Sequence, residues 1–350
     1  MSDSPTFIAL EVRDVPGLDR MAGLANTARV CSTDPLVACA GILVSDLFVP
    51  PLAELPRPGM LVSIDPPLYQ SGGCAANTGL DLAALGVRVR ITGRVGSDGL
   101  GRQLVDELVA GGVDTSTVTQ TTTSPTSQTV ALTLAGDDRR FLHCFGANAE
   151  FTAADVELGA VGADVLIVGG YLLLPNLRAE DLAPVLQRAH DAGSTVLLDV
   201  AVPLGTPNTG DRVRPLMPHV DWFLPNEDEA AVITGQATPQ QQAQTLLEWG
   251  CPHVVITCGS GGALYADHEQ MLRIEPLPIT FVDGSGAGDA FMAGVVLGIL
   301  RQWPIEDTLR YAAALGASVC RGLGCHSTLY TDAQAKEVMA DVRLEVLTSS

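Results

Sequence analysis

The stretch Asp283-Gly284-Ser285-Gly286-Ala287-Gly288-Asp289 lies between an extended run, residues 274–282, and an apolar run without proline, residues 291–300. The glycines therefore stand where a loop becomes a helix. A helix that starts in this way leaves backbone N–H groups without partners at the positive end of its dipole, which suits an anion. An anion-binding loop beside a carboxylate is the arrangement that moves a phosphoryl group onto a hydroxyl.

The residue types in this loop predict separate roles. The backbone amides of Gly286, Ala287 and Gly288 would hold the negative charge that develops on phosphoryl oxygens. The carboxylate of Asp289, in the first helical turn, would accept the proton of the attacking hydroxyl as a general base. A flexible turn before a core helix is the alternative, but three glycines in five residues between two aspartates argue against it.

The composition limits the class of protein. The 350 residues, 47% of them hydrophobic, are enough for one large α/β domain or two smaller ones. A net charge of −20 argues against a nucleic-acid partner. No apolar run reaches the ~20 residues of a membrane span, and the first residues lack the apolar core of a secretory signal. The eight cysteines form no CxxC pair, which is typical of reduced thiols in a cytoplasmic protein.

The lysine content excludes two common kinase types. Lys336 is the single lysine of the sequence, and it lies in a polar segment near the C-terminus. A Walker A loop requires Gly-Lys-Ser/Thr, and the protein-kinase fold requires a lysine on a strand. Any phosphoryl transfer by this chain must therefore use backbone amides, arginine and metal ions instead.

Strand-like and helix-like segments alternate along most of the chain, which predicts a largely parallel sheet with helices on both faces. We expect a Rossmann-like three-layer α/β/α fold over residues 35–350, preceded by an N-terminal extension, residues 1–34. The first strand is predicted over residues 35–44 and the last helix over about residues 333–347. In such sheets ligands bind beyond the carboxyl ends of the strands.

Two segments break this alternation and predict a small β-sheet lid. Residues 46–70 contain a proline-rich part that does not fit a central strand. Residues 126–146 contain two alternating runs around Gly136-Asp137-Asp138, which indicates a hairpin. We therefore expect these two segments to form the lid together.

Paired glycines, Gly72 and Gly73, open the predicted helix that contains Asn77. Such a pair either permits a tight turn or lets the backbone approach a small ligand closely. In the second case Asn77 would point into the site. The pair alone leaves both explanations open.

Two later motifs have a structural and a functional explanation each. Asn226-x-x-Glu229 is either a helix cap with an acidic first turn or an indirect hold on Mg²⁺ bound to nucleotide phosphates. Thr257, Gly259 and Gly262 follow a buried strand. They form either a hairpin turn or a surface against which a nucleotide could lie.

Taken together, these motifs resemble the PfkB carbohydrate kinase family over about residues 35–329. One block runs from Gly72-Gly73 through Asn77 to the loop around Gly96, and the second is Asp283-x-x-Gly286-Ala287-Gly288-Asp289. Three further motifs are similar to elements of the family: Asn226-x-x-Glu229, Thr257-x-Gly259-Ser-x-Gly262 and Gly146-Ala147-Asn148. The resemblance implies a ribokinase-like fold and ATP-dependent phosphorylation of a hydroxyl on a small carbohydrate.

The resemblance also implies a role for each matching residue. Asp289 would be the general base and Gly286, Ala287 and Gly288 the anion hole. Substrate would be bound by Asp46, Gly72, Gly73, Asn77 and Asn148. Magnesium–ATP would be bound by Asn226, Glu229, Thr257, Gly259 and Gly262. Asp283 and Ser285, with carbonyls near residues 318–325, would hold a monovalent cation such as K⁺. The lids of such kinases often pair between subunits, which implies a homodimer.

Two positions depart from the family pattern. Gly284 stands where the family usually has Thr or Ser, next to the implied cation ligands. Val44 stands where ribokinase-like sequences often have Asn, which favours a sugar or polyol other than ribose.

Other functions remain as alternatives. A nucleoside kinase of the same fold would stack its base on lid aromatics, for which Phe48, Tyr69 and Phe141 are available. A dinucleotide-binding oxidoreductase would need GxGxxG directly after the first strand, where this chain has only Gly41. A non-catalytic binding protein of this fold would not need Asp289.

Overall fold

A computed structural model describes residues 34–134 and 139–347. The predicted N-terminal extension, residues 1–34, lies outside these ranges except for Asp34. The tip of the predicted hairpin, residues 135–138, lies outside them too.

The described residues form fifteen strands and ten α-helices. The strands are β1 (Leu36–Gly41), β2 (Val44–Leu52), β3 (Leu68–Gly72), β4 (Arg88–Thr92), β5 (Arg94–Gly96), β6 (Thr119–Thr121), β7 (Gln128–Leu134), β8 (Arg140–Cys144), β9 (Val165–Gly169), β10 (Thr195–Leu198), β11 (Trp222–Phe223), β12 (His253–Thr257), β13 (Ala263–Ala266), β14 (Met271–Ile274) and β15 (Leu344–Val346). The α-helices are α1 (Cys74–Ala84), α2 (Gly99–Ala110), α3 (Ala153–Ala160), α4 (Ala179–Asp191), α5 (Thr209–Val213), α6 (Glu227–Thr234), α7 (Pro239–Glu248), α8 (Ala287–Leu300), α9 (Ile305–Val319) and α10 (Asp332–Val338). Among these helices, none combines the length and the apolar character needed to cross a membrane.

Nine strands form the central sheet, in the order β15-β14-β13-β12-β11-β10-β9-β1-β4. The six strands from β12 to β4 are parallel, and β13, β14 and β15 extend the sheet as an antiparallel edge. Alternate residues of β1 enter different apolar clusters, because Ala38 and Ala40 pack on one face and Val37 and Cys39 on the other. The sheet is thus buried between two helical layers, which is the predicted three-layer α/β/α arrangement.

The connections of β1 locate the functional edge of this sheet. From β1 the chain reaches β4 on one side of it, whereas β9 and β10 lie on the other side. The strand order reverses at this point, and α/β sheets bind ligands beyond the carboxyl ends of the strands at such a switch point. Residues that follow β1, β9 and β10 therefore share one crevice.

A second sheet has the strand order β3-β2-β7-β8. Strands β2 and β3 are antiparallel, β2 and β7 are parallel, and β7 and β8 form the predicted antiparallel hairpin. We call these four strands the lid sheet, after the role predicted for the two segments that contain them.

The first predicted strand is wrong in its length, because residues 35–44 do not form one strand. Strand β1 ends at Gly41 and β2 begins at Val44 in the other sheet. Between them the buried Asn148 amide accepts from the Leu43 N–H at 3.2 Å and donates to the Leu43 carbonyl at 3.0 Å. This side chain supplies the hydrogen bonds that a neighbouring strand would otherwise give, so the chain can leave the central sheet here.

The predicted C-terminal helix, about residues 333–347, is also wrong in its second half. Helix α10 ends at Val338, and β15 then pairs antiparallel with β14. Val342 is buried, and the Leu347 N–H donates to the Met271 carbonyl at 2.8 Å. An unpaired sheet edge exposes backbone donors and acceptors, and pairing with β15 satisfies those of β14.

Candidate active site

The start of α8 leaves backbone amides open at the sheet edge. Gly286 caps the helix in the left-handed region, with φ 77° and no side-chain cap. A Cβ there would lie 2.7 Å from the Cys325 carbonyl oxygen, so only glycine fits. The first ladder bond runs from the Ala290 N–H to the Gly286 carbonyl, at 2.9 Å. Of the three predicted anion-binding amides, that of Ala287 donates to the Gly284 carbonyl at 3.3 Å.

The carboxylate of Asp289 is held by Asn77 from the facing helix α1. Asn77 is only 5% exposed, and its Nδ2 donates to Asp289 Oδ2 at 2.8 Å. Burial raises the pKa of Asp289 to about 7, an effect that the Asn77 hydrogen bond opposes and the charge of Asp81 adds to. A carboxylate with such a pKa can accept a proton near neutral pH. Asn77 and Asp289, which were predicted from two motifs far apart in the sequence, therefore lie in one site.

Behind Asn77 lies a pair, the half-buried His326 and the buried Asp81, that was not predicted from the sequence. His326 Nδ1 lies 2.8 Å from Asp81 Oδ1, and His326 Nε2 lies 3.1 Å from Asn77 Oδ1. Because the Asn77 amide nitrogen donates to Asp289, its oxygen must accept, and Nε2 of His326 is the donor. Asp81 is 1% exposed, and its Oδ2 has no hydrogen-bond partner among the described residues. The pair fixes the direction of the Asn77 amide.

Asp46 reaches the same centre from β2 of the lid sheet. Burial raises the pKa of Asp46 to about 7. The charge of Asp289 adds to this effect, and a hydrogen bond with Thr129 opposes it. A Cβ on Gly72, in the paired strand β3, would collide with Asp46 Oδ2. The next residue, Gly73, caps α1 at φ 91°. The predicted substrate-binding residues Asp46, Gly72, Gly73 and Asn77 are thus neighbours.

Asn148 does not join this group. Its amide is fully buried and is used on both backbone groups of Leu43, as described above. Its effect on the site is indirect, because it holds the chain between β1 and the strand that carries Asp46.

Asp199 is an acidic residue of the site that sequence reasoning missed. It follows β10 directly, and its Oδ2 accepts from the Gly170 N–H at 3.0 Å. Ligand atoms of Asp199, Asp289 and Cys74 all lie within 4.8 Å of one another. Burial raises the pKa of Asp199 well above its ordinary value, and the charges of Asp289 and Glu229 add to the effect. An acidic residue directly after a buried parallel strand was the signal that could have identified it.

Asn226 and Glu229 form a capping box at the start of α6. Asn226 Oδ1 accepts from the Glu229 N–H at 2.9 Å, and Glu229 Oε2 accepts from the Asn226 N–H at 3.0 Å. Burial also raises the pKa of Glu229 to about 7. The structural explanation of this motif is therefore correct, and the carboxyl of Glu229 still interacts with Asp289.

The predicted nucleotide loop lies beside this helix. Asn226 forms a parallel bridge with Thr257, the last residue of β12. Gly259 and Gly262 lie in the short turn that leads into β13, and Gly259 is exposed. The loop is both a turn and an open backbone surface at the carboxyl end of β12.

The predicted cation ligands Asp283 and Ser285 are in contact with an arginine. Arg139, the residue before β8 in the lid sheet, places Nη1 2.7 Å from Asp283 Oδ1 and 3.0 Å from Ser285 Oγ. Asp283 is 4% exposed, so this is a largely buried ion pair. No motif links residues that are 144 positions apart, which is why Arg139 was missed.

Comparison with known proteins gives a consistent result. The model for the "pfkB family carbohydrate kinase" matches residues 35–332. Fructoselysine 6-kinase of Shigella flexneri is 31% identical over 254 residues, which cover 71% of this chain and 87% of that protein. Ribokinase of Bacillus subtilis (strain 168) is 28% identical over 274 residues, covering 77% and 87%. The structure of Arabidopsis thaliana ribokinase complexed with ribose and ATP has a similar fold, with a TM-score of 0.72 and 23% identity over 88% of this chain and 99% of that one.

Proposed function

This chain belongs to the pfkB family of carbohydrate kinases, and from that premise we propose how its residues move a phosphoryl group from ATP to a hydroxyl of a small carbohydrate. The observation that carries the proposal is the Asn77–Asp289 hydrogen bond beside the open start of α8. It joins the two sequence blocks, and it puts a proton acceptor next to unpaired amides.

The proposed reaction uses Asp289 as the general base. Its carboxylate takes the proton from the substrate hydroxyl while the hydroxyl oxygen attacks the γ-phosphorus of ATP. The bond from that phosphorus to the bridging oxygen breaks, and ADP leaves. The amides at the start of α8, Gly286 and Gly288 among them, would hold the charge on the transferred group, because the helix dipole favours an anion there.

Asp81 and His326 support the base through Asn77. With His326 Nε2 donating to its oxygen, the Asn77 amide can present only its nitrogen to Asp289. That hydrogen bond favours the ionised form of the carboxylate. We therefore propose Asp81 and His326 as positioning residues.

On the substrate side, we propose that Asp46 and Asn77 bind sugar hydroxyls close to the Gly72–Gly73 backbone. A half-buried carboxylate next to an amide suits a polyhydroxy substrate, since the two together accept and donate hydrogen bonds. One of the three aromatic residues that could stack on the base of a nucleoside is not available for this contact. Phe48 is 4% exposed and packs with Ala131 and Cys325, so it offers no free face for a base.

For the nucleotide, we propose that ATP lies on the turn formed by Thr257, Gly259 and Gly262. Asp199 and Glu229 suit Mg²⁺, because the charge of Glu229 is close enough to raise the pKa of Asp199, and hard divalent cations prefer carboxylate oxygens. When bound, Mg²⁺ would neutralise phosphate charge. Asn226 would act by holding Glu229 in place.

The domain organisation and assembly are proposals as well. Residues 35–350 would form the kinase domain, with the lid from about residues 46–70 and 126–146 closing over the sugar to exclude water. The lid sheet exposes the large apolar side chains Leu68, Tyr69, Phe141 and Leu142. An apolar surface of this kind supports a homodimer formed through the lids. The cytoplasmic location remains a prediction from cysteine usage.

An ADP-release screen tests the proposal. Purified protein with Mg²⁺ and ATP would be offered ketoses, aldoses, polyols, sugar acids, sugar phosphates, fructosamines and nucleosides. We expect ADP release to be stimulated by at least one carbohydrate, with the phosphorylated product confirmed by mass spectrometry. Stimulation by nucleosides alone would support the alternative. Stimulation by none of these classes would overturn the proposed substrate.

A further inference from the structure

We propose that the guanidinium of Arg139 provides the fixed positive charge beside the anion-binding loop, in place of a monovalent cation. The inference rests on the proposed function, because it concerns the loop that would hold the transferred phosphoryl group. It predicts a kinase that does not need K⁺ and whose lid carries part of its phosphate-binding charge.

The oxygens of Asp283 are already occupied by hydrogen-bond donors. Oδ1 accepts from Arg139 Nη1 at 2.7 Å, from the Ser285 N–H at 3.1 Å and from Ser285 Oγ at 3.0 Å. Oδ2 accepts from the Gly324 N–H at 3.1 Å. A carboxylate offers about four lone-pair sites. Oδ1, with three donors, is full, so a cation bound to that oxygen would have to displace one of them. Arg139 is the only one of these three donors that carries charge.

Gly284 makes room for the guanidinium. A Cβ at this position would lie 3.2 Å from Arg139 Nη2 and 3.4 Å from Nη1. Most side-chain contacts are looser than this, so a threonine or serine at position 284 would press on the arginine. Gly284, which departs from the pattern of the family that the sequence resembles, therefore leaves the space that the Arg139 guanidinium occupies.

The charge balance of the loop explains why a cation is needed there. Asp283 is a largely buried carboxylate three residues before the Gly286 cap of α8. An unpaired negative charge so close to the anion-binding amides would repel a phosphoryl group, and a buried charge is stable only when it is paired. The guanidinium neutralises Asp283, and its second contact, with Ser285 Oγ, holds it against the loop.

The positive charge is coupled to the lid, because Arg139 belongs to the lid segment of the chain. The residue directly precedes β8, an edge strand of the lid sheet, and its guanidinium also lies 5.7 Å from the centre of the Phe141 ring. Movement of the lid sheet away from the central sheet would withdraw the cation from Asp283. The anion-binding loop would then be fully charged for catalysis only while the lid covers the substrate.

The test measures activity and thermal stability of the full-length protein in potassium chloride and in tetramethylammonium chloride at equal ionic strength. For the wild type we expect turnover to agree within about twofold in the two salts. For Arg139→Ala we expect a loss of about 10²-fold in tetramethylammonium, the size typical of a lost group that stabilises transition-state charge. Potassium should recover most of that loss and should raise the Tm of the variant but not of the wild type.

Two variants serve as controls. Arg140→Ala removes the same charge from the neighbouring position of the lid, and it should leave turnover unchanged in both salts. Gly284→Thr should lower turnover by crowding Arg139. Strong activation of the wild type by K⁺, or an Arg139→Ala variant that K⁺ neither stabilises nor reactivates, would overturn the inference while the kinase function stood. A wild type that phosphorylates no substrate would instead contradict the proposed function.

Discussion

The starts of α8 and α6 are two polar loop-to-helix junctions with opposite properties. At α6 the helix satisfies itself, since Asn226 and Glu229 exchange hydrogen bonds within one turn. At α8 there is no side-chain cap, and the acidic residue of the first turn, Asp289, is held by Asn77 from another helix. The hydrogen bonds at the start of α6 are explained by folding alone, although the carboxylate of Glu229 also belongs to the proposed Mg²⁺ site. A helix start that leaves amides open and places its acid against distant residues needs a ligand to complete it.

The largest expected effect is that of removing the base at α8. Asp289→Asn should lower kcat by about 10²–10⁴-fold, as is usual when a general base is lost. The affinity for ATP should change little, because the proposed nucleotide surface lies elsewhere. Coupled ADP-release kinetics and calorimetry with ATP would measure the two quantities. An unchanged kcat would show that the residues at the start of α8 contribute no more to catalysis than those at the start of α6.

The cap of α8 gives the next largest effect. Gly286→Ala should lower kcat about 10²-fold, because the added Cβ meets the Cys325 carbonyl and moves the amides that would bind phosphate. Gly235→Ala is the matched control at the end of α6. Gly235 has a similar φ, 72°, and no heavy atom within 4 Å of its added Cβ. It should lose stability from backbone strain alone, with kcat unaltered. Equal losses of kcat would remove the distinction between the two helices.

The pKa of the base predicts the pH dependence. Burial raises the pKa of Asp289 to about 7, and the base must be ionised to accept a proton. Since an acid whose pKa is raised is protonated as the pH falls through that value, kcat/KM should fall about tenfold per pH unit below about 7. A pH profile of kcat/KM measures this, because that ratio reports the pKa values of the free enzyme. A profile that stays flat until about pH 4, the ordinary range of an aspartate, would contradict the assignment.

Loss of His326, which positions Asn77, should lower kcat by a smaller factor and should shift the pH dependence of kcat/KM. His326→Leu frees the Asn77 amide and removes a charge that lowers the pKa of Asp289, so kcat should fall about tenfold and the acid limb of kcat/KM should move to higher pH. Asp81→Asn should move the limb to lower pH, because the Asp81 charge raises that pKa. Ser327→Ala, in the same loop, is the control. If the acid limb of the pH profile moved in neither variant, His326 and Asp81 would have only a packing role.

The smallest effect belongs to α6. Asn226→Ala should cost about 1 kcal/mol of unfolding free energy, the usual value of a helix cap, and should raise the KM for ATP only a few-fold. Chemical denaturation and steady-state kinetics would measure both. A loss of kcat as large as that of Gly286→Ala would mean that Asn226 takes part in catalysis directly and does not only hold Glu229 in place.

The sequence allowed prediction of those features whose cause is local. Glycine spacing at the start of α8, the Asn226–Glu229 spacing and the β7–β8 hairpin all depend on residues that are close along the chain. Two of the site residues that were missed, His326 and Arg139, depend on long-range packing instead. His326 meets Asp81 across 245 positions, and Arg139 meets Asp283 across 144. Neither pair has a pattern in the sequence.

Two errors in the predicted fold have related causes. The apolar spacing near the C-terminus fits a helix as well as a short strand, and the open edge of β14 decides in favour of β15. Residues 35–44 form a continuous apolar run, and the side chain of Asn148 splits it between two sheets. In both cases a partner distant in the chain overrides the local preference.

The contact between Asp46 and Gly72 has a consequence for how substrate preference can change over evolutionary time. A side chain at position 72 would force the carboxylate of Asp46 out of its observed position, because the added Cβ and the carboxylate would occupy the same space. A descendant that loses Asp46 is released from this constraint and can then acquire a larger residue at position 72. We therefore expect that loss of the acid precedes most substitutions at position 72 among homologues.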